Sequence, residues 1–138
     1  VYGWVRRQPP GRVIAVKGIE RAVAAVGTPT AVDVTVQGKR LRRGVKVWPV
    51  GVSLLKSELY QWLQLTQGEQ GFPPGYCHFP KHEAEYFKQL TAEQLVTKTV
   101  KGYPKREWQK LRERNEALDC RVYARAAAIG LGADRWNA

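Results

Sequence analysis

Between Val32 and Leu63 the spacing of apolar residues changes from that of a strand to that of a helix, and this change limits the folds open to the chain. Val32, Val34 and Val36 alternate with polar neighbours, the two-residue period of a half-buried strand. Gln37-Gly38-Lys39-Arg40 has turn chemistry, and Leu41 to Val52 predicts a returning strand. Ser53 can then cap a helix over Leu54–Leu65, whose buried stripe would be Leu55, Leu59, Trp62 and Leu63. A β-hairpin followed at once by an amphipathic helix predicts a layered α/β domain.

The other segments fit that class. Val1–Arg7 reads as a strand, Gln8-Pro9-Pro10-Gly11 as a tight turn and Arg12–Lys17 as a central strand. Gly18 to Pro29 predicts a loop, or a short helix over Glu20–Val26. Tyr76–Phe79 reads as a short strand, and Lys81–Leu90 as a helix with Tyr86, Phe87 and Leu90 inward. Thr91-Ala92-Glu93-Gln94 matches a capping box, or else extends the preceding helix. Leu95–Val100 and Arg106–Leu111 predict a hairpin around the Lys101–Lys105 turn. Asn115 is a good N-cap for a final helix over Glu116–Leu131, closed by Gly130 and Gly132.

Charge narrows the partners. Lys and Arg number 23 against 12 Asp and Glu, a net charge of +11. Five cations, Lys39, Arg40, Arg42, Arg43 and Lys46, fall within eight residues of the predicted hairpin. Such a field attracts polyanions, of which nucleic acid is the commonest in a cell. A solubilising surface is the plainer reading of one basic loop, but a whole domain of this charge favours nucleic-acid contact. The cluster is not on an amphipathic helix, which argues against a membrane surface. No apolar run reaches the roughly 18–20 residues of a membrane span. Neither a secretory leader nor a disulfide framework is expected, since the chain begins VYGWVRRQPPG and has only Cys77 and Cys120. It has no Met and opens on a predicted strand, which suits a piece of a longer polypeptide.

One residue in the final helix needs explaining. At 100° per residue from Leu118, Ile129 falls at about 20°, Val122 at about 40°, Ala126 at about 80° and Tyr123 at about 140°. Asp119 falls at about 100°, inside that apolar arc. A carboxylate there is expected to pair with Arg or Lys, to cap a neighbour, or to bind a metal whose charge compensates it. His78 and His82 lack the spacing of a metal pair and read as structural. Cys77 and Cys120 read as small buried hydrophobes. The chain has neither a phosphate-cradling G-x-x-x-x-G-K-[ST] loop nor a G-x-G-x-x-G turn. The aromatic residues sit mostly on apolar stripes and read as core.

The order Gly75–Pro80 (GYCHFP), Glu85–Val96 (EYFKQLTAEQLV), Trp108, Arg114–Ala128 (RNEALDCRVYARAAA) and Arg135-Trp136 resembles the lambda-type phage terminase large subunit, the GpA family. Val1–Trp4 (VYGW), Ala15–Gly18 (AVKG) and Val50–Leu63 (VGVSLLKSELYQWL) extend the resemblance over nearly the whole chain. It implies the C-terminal portion of the endonuclease domain over residues 1–138, without the ATPase domain. The implied fold is RNase H-like, a mixed sheet flanked by helices, with a basic β-hairpin and the N-terminal part of the domain missing. The implied activity is metal-dependent cutting of concatemeric viral DNA during packaging. Asp119 would be a catalytic ligand of Mg²⁺ or Mn²⁺, and Lys39, Arg40, Arg42, Arg43, Lys46 and Lys17 would contact DNA. Implied partners are double-stranded DNA and, through the full-length protein, the terminase small subunit and portal. The implied setting is the cytoplasm of a bacterial host, as a phage or prophage protein.

The family's first catalytic strand, with its metal-anchoring Asp, would precede Val1. Lys17-Gly18 stands where related folds end a strand on a carboxylate, and Ser53 where some relatives carry Asp. With one visible acidic ligand, the chain alone is expected to bind divalent metal weakly and cut DNA little or not at all. The competing reading is a non-catalytic DNA-binding or assembly module of the packaging machinery. A resolvase or transposase of the same fold fits the last helix but not the HFP–LTAEQLV order.

Overall fold

The computed structural model describes residues 1–136, in two compact units. The first runs from Val1 to Leu54 and takes up the chain again at Ile129. The second is Leu55–Ala128.

The first unit is built on a three-stranded mixed sheet in the order β1-β3-β2, formed by β1 (Ala15–Ile19), β2 (Thr30–Val36) and β3 (Lys39–Gly51). The two-residue turn Gln37-Gly38, with φ of 49° and 76°, matches the right-handed strand twist and closes the β2–β3 hairpin as expected. With its 13 residues β3 pairs on both sides, parallel to β1 (Ala15↔Val47 to Ile19↔Gly51) and antiparallel to β2. This corrects the expectation of a central Arg12–Lys17 strand: the strand begins at Ala15 and lies at the sheet edge, because the longer β3 takes the middle. Residues 20–26 form no helix. Their chain joins the far end of β3 instead, through Gly51 N–H to Ala25 and Gly27 N–H to Pro49, both 2.9 Å.

Ala15, Val34, Val45 and Val47 form the buried core on one face of this sheet. The predicted Val1–Arg7 strand is instead a single helical turn, α1 (Tyr2–Val5). Its Tyr2 and Val5, three residues apart and so on one helical face, pack against that core.

In the second unit the helices supply the core. Leu55 and Leu59 are buried on α2 (Val52–Trp62), and Leu118, Val122 and Ala126 on α4 (Glu116–Gly130). Each set repeats every four residues, as one helical face must. Arg125 of α4 donates to Glu58 of α2 at 2.7 and 3.2 Å and lies 5.1 Å from the Trp62 ring centre. Ser53 lies inside α2 and is not its cap, since the helix begins at Val52.

The expected Tyr76–Phe79 strand does not form. That segment is held by ring contacts, Phe72–Tyr76 at 4.6 Å and Tyr76–His78 at 4.9 Å. The predicted helix over 81–90 is shorter, α3 (Ala84–Leu90), and buries Gln89 and Leu90 while Phe87 stays exposed. Thr91 terminates it, so the capping-box reading fails and Glu93 opens a strand. β4 (Glu93–Val100) and β5 (Tyr103–Lys110) form the expected antiparallel hairpin, a separate two-stranded sheet. The α/β class therefore holds, as a mixed sheet with helices and a second hairpin.

Candidate functional site

Asp119 sits in the first turn of α4 and is exposed, which corrects the expectation of an apolar setting. The buried stripe covers only the arc from Leu118 to Ala126, and Tyr123 beyond Asp119 is 38% exposed. Asp119 thus stands on the rim of the stripe. A negative charge in the first helical turn also meets the positive end of the helix dipole. Among the described residues its side-chain partner is not a cation: the Asn115 side-chain amide donates to Asp119 Oδ2 at 3.5 Å.

That amide leads to a buried, multiply bonded group. Asn115 Nδ2 also donates to Oε1 of Glu93, at 2.9 Å. Glu93 is only 5% exposed, and its Oε2 lies 2.6 Å from Lys56 Nζ on α2. The Tyr60 hydroxyl, one turn after Lys56, donates to the Glu93 carbonyl and accepts the Glu93 N–H at 3.3 Å. Burial, the leading cause, pushes the Tyr60 phenol up from its ordinary value. Trp108 of β5 closes this group, 5.2 Å from the Tyr60 ring and 5.8 Å from the Lys56 ammonium. Gln89 completes the frame by accepting the Ala117 N–H at 3.3 Å, which satisfies an otherwise open donor in the first turn of α4.

Sequence reasoning missed Glu93, Lys56, Tyr60 and Asn115 as a set. Asn115 was legible only as a cap. The available signal was the Lys56–Tyr60 pair, one helical turn apart beside the Leu55–Leu59 stripe.

Chemically, this arrangement couples two carboxylates through one amide. Glu93 is compensated and fixed, with both carboxylate oxygens engaged. Asp119 faces solvent and retains acceptor capacity. Among the described residues no three His, Cys, Asp or Glu side chains gather as a metal cluster. A hard divalent cation needs about six oxygens, so Asp119 could hold one only with water or phosphate oxygens making up most of the shell.

The basic cluster is a separate feature. Lys39, Arg40, Arg42, Arg43 and Lys46 are all exposed on β3. The pleat puts Arg40 and Lys46 on the sheet face opposite the Val34–Val45–Val47 core, while Arg42 lies in an irregular stretch between them. Lys17, two residues after buried Ala15 on β1, belongs to the other face and does not join them. Between the pairs Val32↔Val45 and Val34↔Leu41, Asp33 alone opposes Arg42, Arg43 and Gly44, which makes a bulge. The Asp33 carboxylate fastens it, accepting the Arg43 N–H at 2.9 Å and the Arg40 guanidinium at 2.9 and 2.7 Å. The Arg43 backbone bond first, then Arg40, holds the Asp33 carboxyl below its ordinary value of 3.8. A carboxyl lowered by folding stabilises the fold above its unfolded pKa, and that stability is lost as pH falls through the lower, folded value. Asp33→Asn is therefore expected to flatten part of the acid limb of unfolding below about pH 4. Thermal melts across pH 2–5 check this, and an unaltered acid limb would contradict it.

The two histidines make ring contacts. His78 packs against Phe72 and Tyr76, and His82 stacks on Tyr86 at 4.0 Å. Neither cysteine is the buried hydrophobe expected: Cys120 is exposed and Cys77 half-buried.

Comparison with known proteins places these features in context. Residues 1–137 match the family model described as terminase large subunit gpA, endonuclease domain. The chain is 37% identical over 142 residues to the "Terminase, large subunit" of Escherichia phage lambda, covering 99% of this chain and 21% of that protein. It is 34% identical over 145 residues to the "Terminase, large subunit" of Enterobacteria phage P21, again covering 99% of this chain and 21% of the relative. The chain thus spans about a fifth of the length of these relatives. No solved structure matches.

Proposed function

From the premise that this chain belongs to the terminase large subunit gpA endonuclease-domain family, we propose that it is the DNA-cutting part of a phage packaging enzyme, with Asp119 as a metal-holding carboxylate. The observation that carries the reading is the short route from Asp119 through the Asn115 amide to buried Glu93. When bound, Mg²⁺ or Mn²⁺ supplies water activation and neutralises charge on the scissile phosphate. Asp119 presents the open oxygens. Asn115 orients them, and Glu93 fixes Asn115. Lys56 holds Glu93 in place through the ion pair at 2.6 Å. The exposed Arg42 and Lys46 side chains attract the phosphodiester backbone of double-stranded DNA. An RNase H-like relation for the mixed sheet belongs to the same proposal. So do contacts with the small subunit and portal through the full-length protein, and work in the host cytoplasm. Among the described residues no helix is long and apolar enough to cross a membrane.

The competing reading, a DNA-binding or assembly module without catalysis, rests on the exposed cationic face of β3. Plasmid nicking with Mn²⁺ and calorimetric Mn²⁺ titration separate the two. The chain is expected to bind Mn²⁺ weakly and to nick little or not at all. Asp119→Asn should reduce Mn²⁺ binding, and any nicking, by at least about 10–100-fold, the loss that even outer-shell partners cause, while leaving metal-free DNA affinity unchanged. Nicking at the same rate in Asp119→Asn would remove Asp119 from the mechanism. DNA binding with no Mn²⁺ binding at all, in the parent and in Asp119→Asn alike, would support the module.

A further inference from the structure

The β4–β5 hairpin carries an exposed arm that the proposed site does not use. Its base is anchored: Ala92 and Glu93 are buried, and Leu95 and Trp108 are half-buried. From Thr97 through Arg106 every residue is exposed. Among the described residues no third strand joins this sheet, and a lone two-stranded ribbon is marginally stable in water. Those ten residues include Lys98, Lys101, Lys105 and Arg106 and no Asp or Glu.

The register places the charges. Lys98 lies directly opposite Lys105, and Val100 opposite Tyr103 at the tip. Directly opposed residues share a face, so the two lysines flank the apolar pair. Like charges opposed across strands are unfavourable. Here Glu107, next along the same face, offsets them, at 2.6 Å from Lys98 and 3.9 Å from Lys105. Lys98 first, then Gln109, holds the Glu107 carboxyl below its usual range. Lys101 and Arg106 make no ion pair among the described residues. At the tip, Tyr103 is 77% and Val100 44% exposed. A stable ribbon does not call for an exposed aromatic ring, an exposed Val and four cations gathered at its end.

We propose that this arm is a second DNA contact of the domain, a β-ribbon that enters a groove of double-stranded DNA with Lys101 and Arg106 on the phosphates and the Val100–Tyr103 pair against the groove floor. The inference rests on the proposed DNA-cutting role and extends it to a surface away from Asp119. Dimensions agree. The exposed part of each strand is four residues, roughly 13 Å at about 3.3 Å per residue. The major groove, about 12 Å wide and 8.5 Å deep, admits a two-stranded ribbon. Charge agrees as well: Lys98, Lys101, Lys105 and Arg106 outnumber Glu107 at the base of the exposed arm, and a net cationic ribbon complements a polyanion.

The test is the salt dependence of binding to a labelled duplex of about 30 base pairs, by fluorescence anisotropy without metal. The double variant Lys101→Ala/Arg106→Ala removes two exposed side chains and is expected to reduce the slope of log K against log salt by about 2. Tyr103→Ala should weaken binding severalfold with the slope unchanged, because it removes groove contact and no charge. Arg42→Ala/Lys46→Ala serves as the comparison on the other hairpin. If the arm variants keep the parental affinity and slope while the β3 variant loses both, the arm proposal fails and the nuclease reading stands. If the parental chain binds no duplex at all, both fail. Circular dichroism of each variant confirms that the fold is retained.

Discussion

Lys56→Ala is expected to destabilise the protein by about 3–5 kcal/mol, because it breaks a buried pair and leaves Glu93 in the interior without its partner. The Lys56 and Glu93 side chains are 12% and 6% exposed, so neither charge has much water to fall back on. Glu93 would keep the Asn115 amide on one oxygen and lose Lys56, 2.6 Å from the other. An exposed ion pair would contribute about 0–1 kcal/mol, so the size of the loss reports the burial directly. The effect need not mean that the pair is strongly stabilising as a unit. Replacing both charges with groups of similar shape is often neutral. Lys56→Met combined with Glu93→Gln, which keeps an acceptor for Asn115, is therefore expected to recover most of what Lys56→Ala loses. Urea unfolding followed by circular dichroism measures all three. A loss below about 1 kcal/mol for Lys56→Ala would show that water reaches Glu93, and the fixed frame proposed for Asp119 would go with it.

This frame also marks where the sequence stops being legible. The β2–β3 hairpin and α4 could be read because each is specified locally. Val32, Val34 and Val36 alternate, Gln37-Gly38 suits a hairpin turn, and Asn115 precedes a run of good helix formers. α1 could not be read, because Val1, Tyr2, Trp4 and Val5 have the composition of a strand. Its helical turn matters only through the core that Tyr2 and Val5 meet. Glu93 was hidden differently. Thr91-Ala92-Glu93-Gln94 fits a local motif, whereas the partner that defines Glu93 is 37 residues earlier in the chain. Asp119 was located from the sequence, but the wheel overstated its burial because the buried stripe ends at Ala126. The second basic hairpin was legible as a hairpin. Its function was not, since exposure over ten consecutive residues follows from the lack of a third strand.

Gly75→Ala is expected to destabilise by about 2–5 kcal/mol, from two sources that a control can separate. Gly75 has φ of +85°, a left-handed conformation that disfavours a side chain by about 1–2 kcal/mol. A Cβ there would also stand 2.5 Å from Trp62 Nε1, 2.7 Å from Cδ1 and 2.9 Å from Cε2. Forced overpacking of this kind typically adds about 1–3 kcal/mol. The ring cannot yield cheaply. Trp62 lies under the Arg125 guanidinium, which is itself fixed by Glu58 at 2.7 Å. Moving the indole would therefore disturb the pairing of α2 with α4. Gly71 is the control, with φ of +103° and nothing within 4 Å of its would-be Cβ. Gly71→Ala should show the backbone penalty without the clash, so the difference between the two variants in urea unfolding isolates the contact with Trp62. A shift in tryptophan emission should accompany Gly75→Ala and be absent from Gly71→Ala. Equal losses without that shift would mean that the loop does not rest on the ring, and that the α2–α4 pairing is set without it.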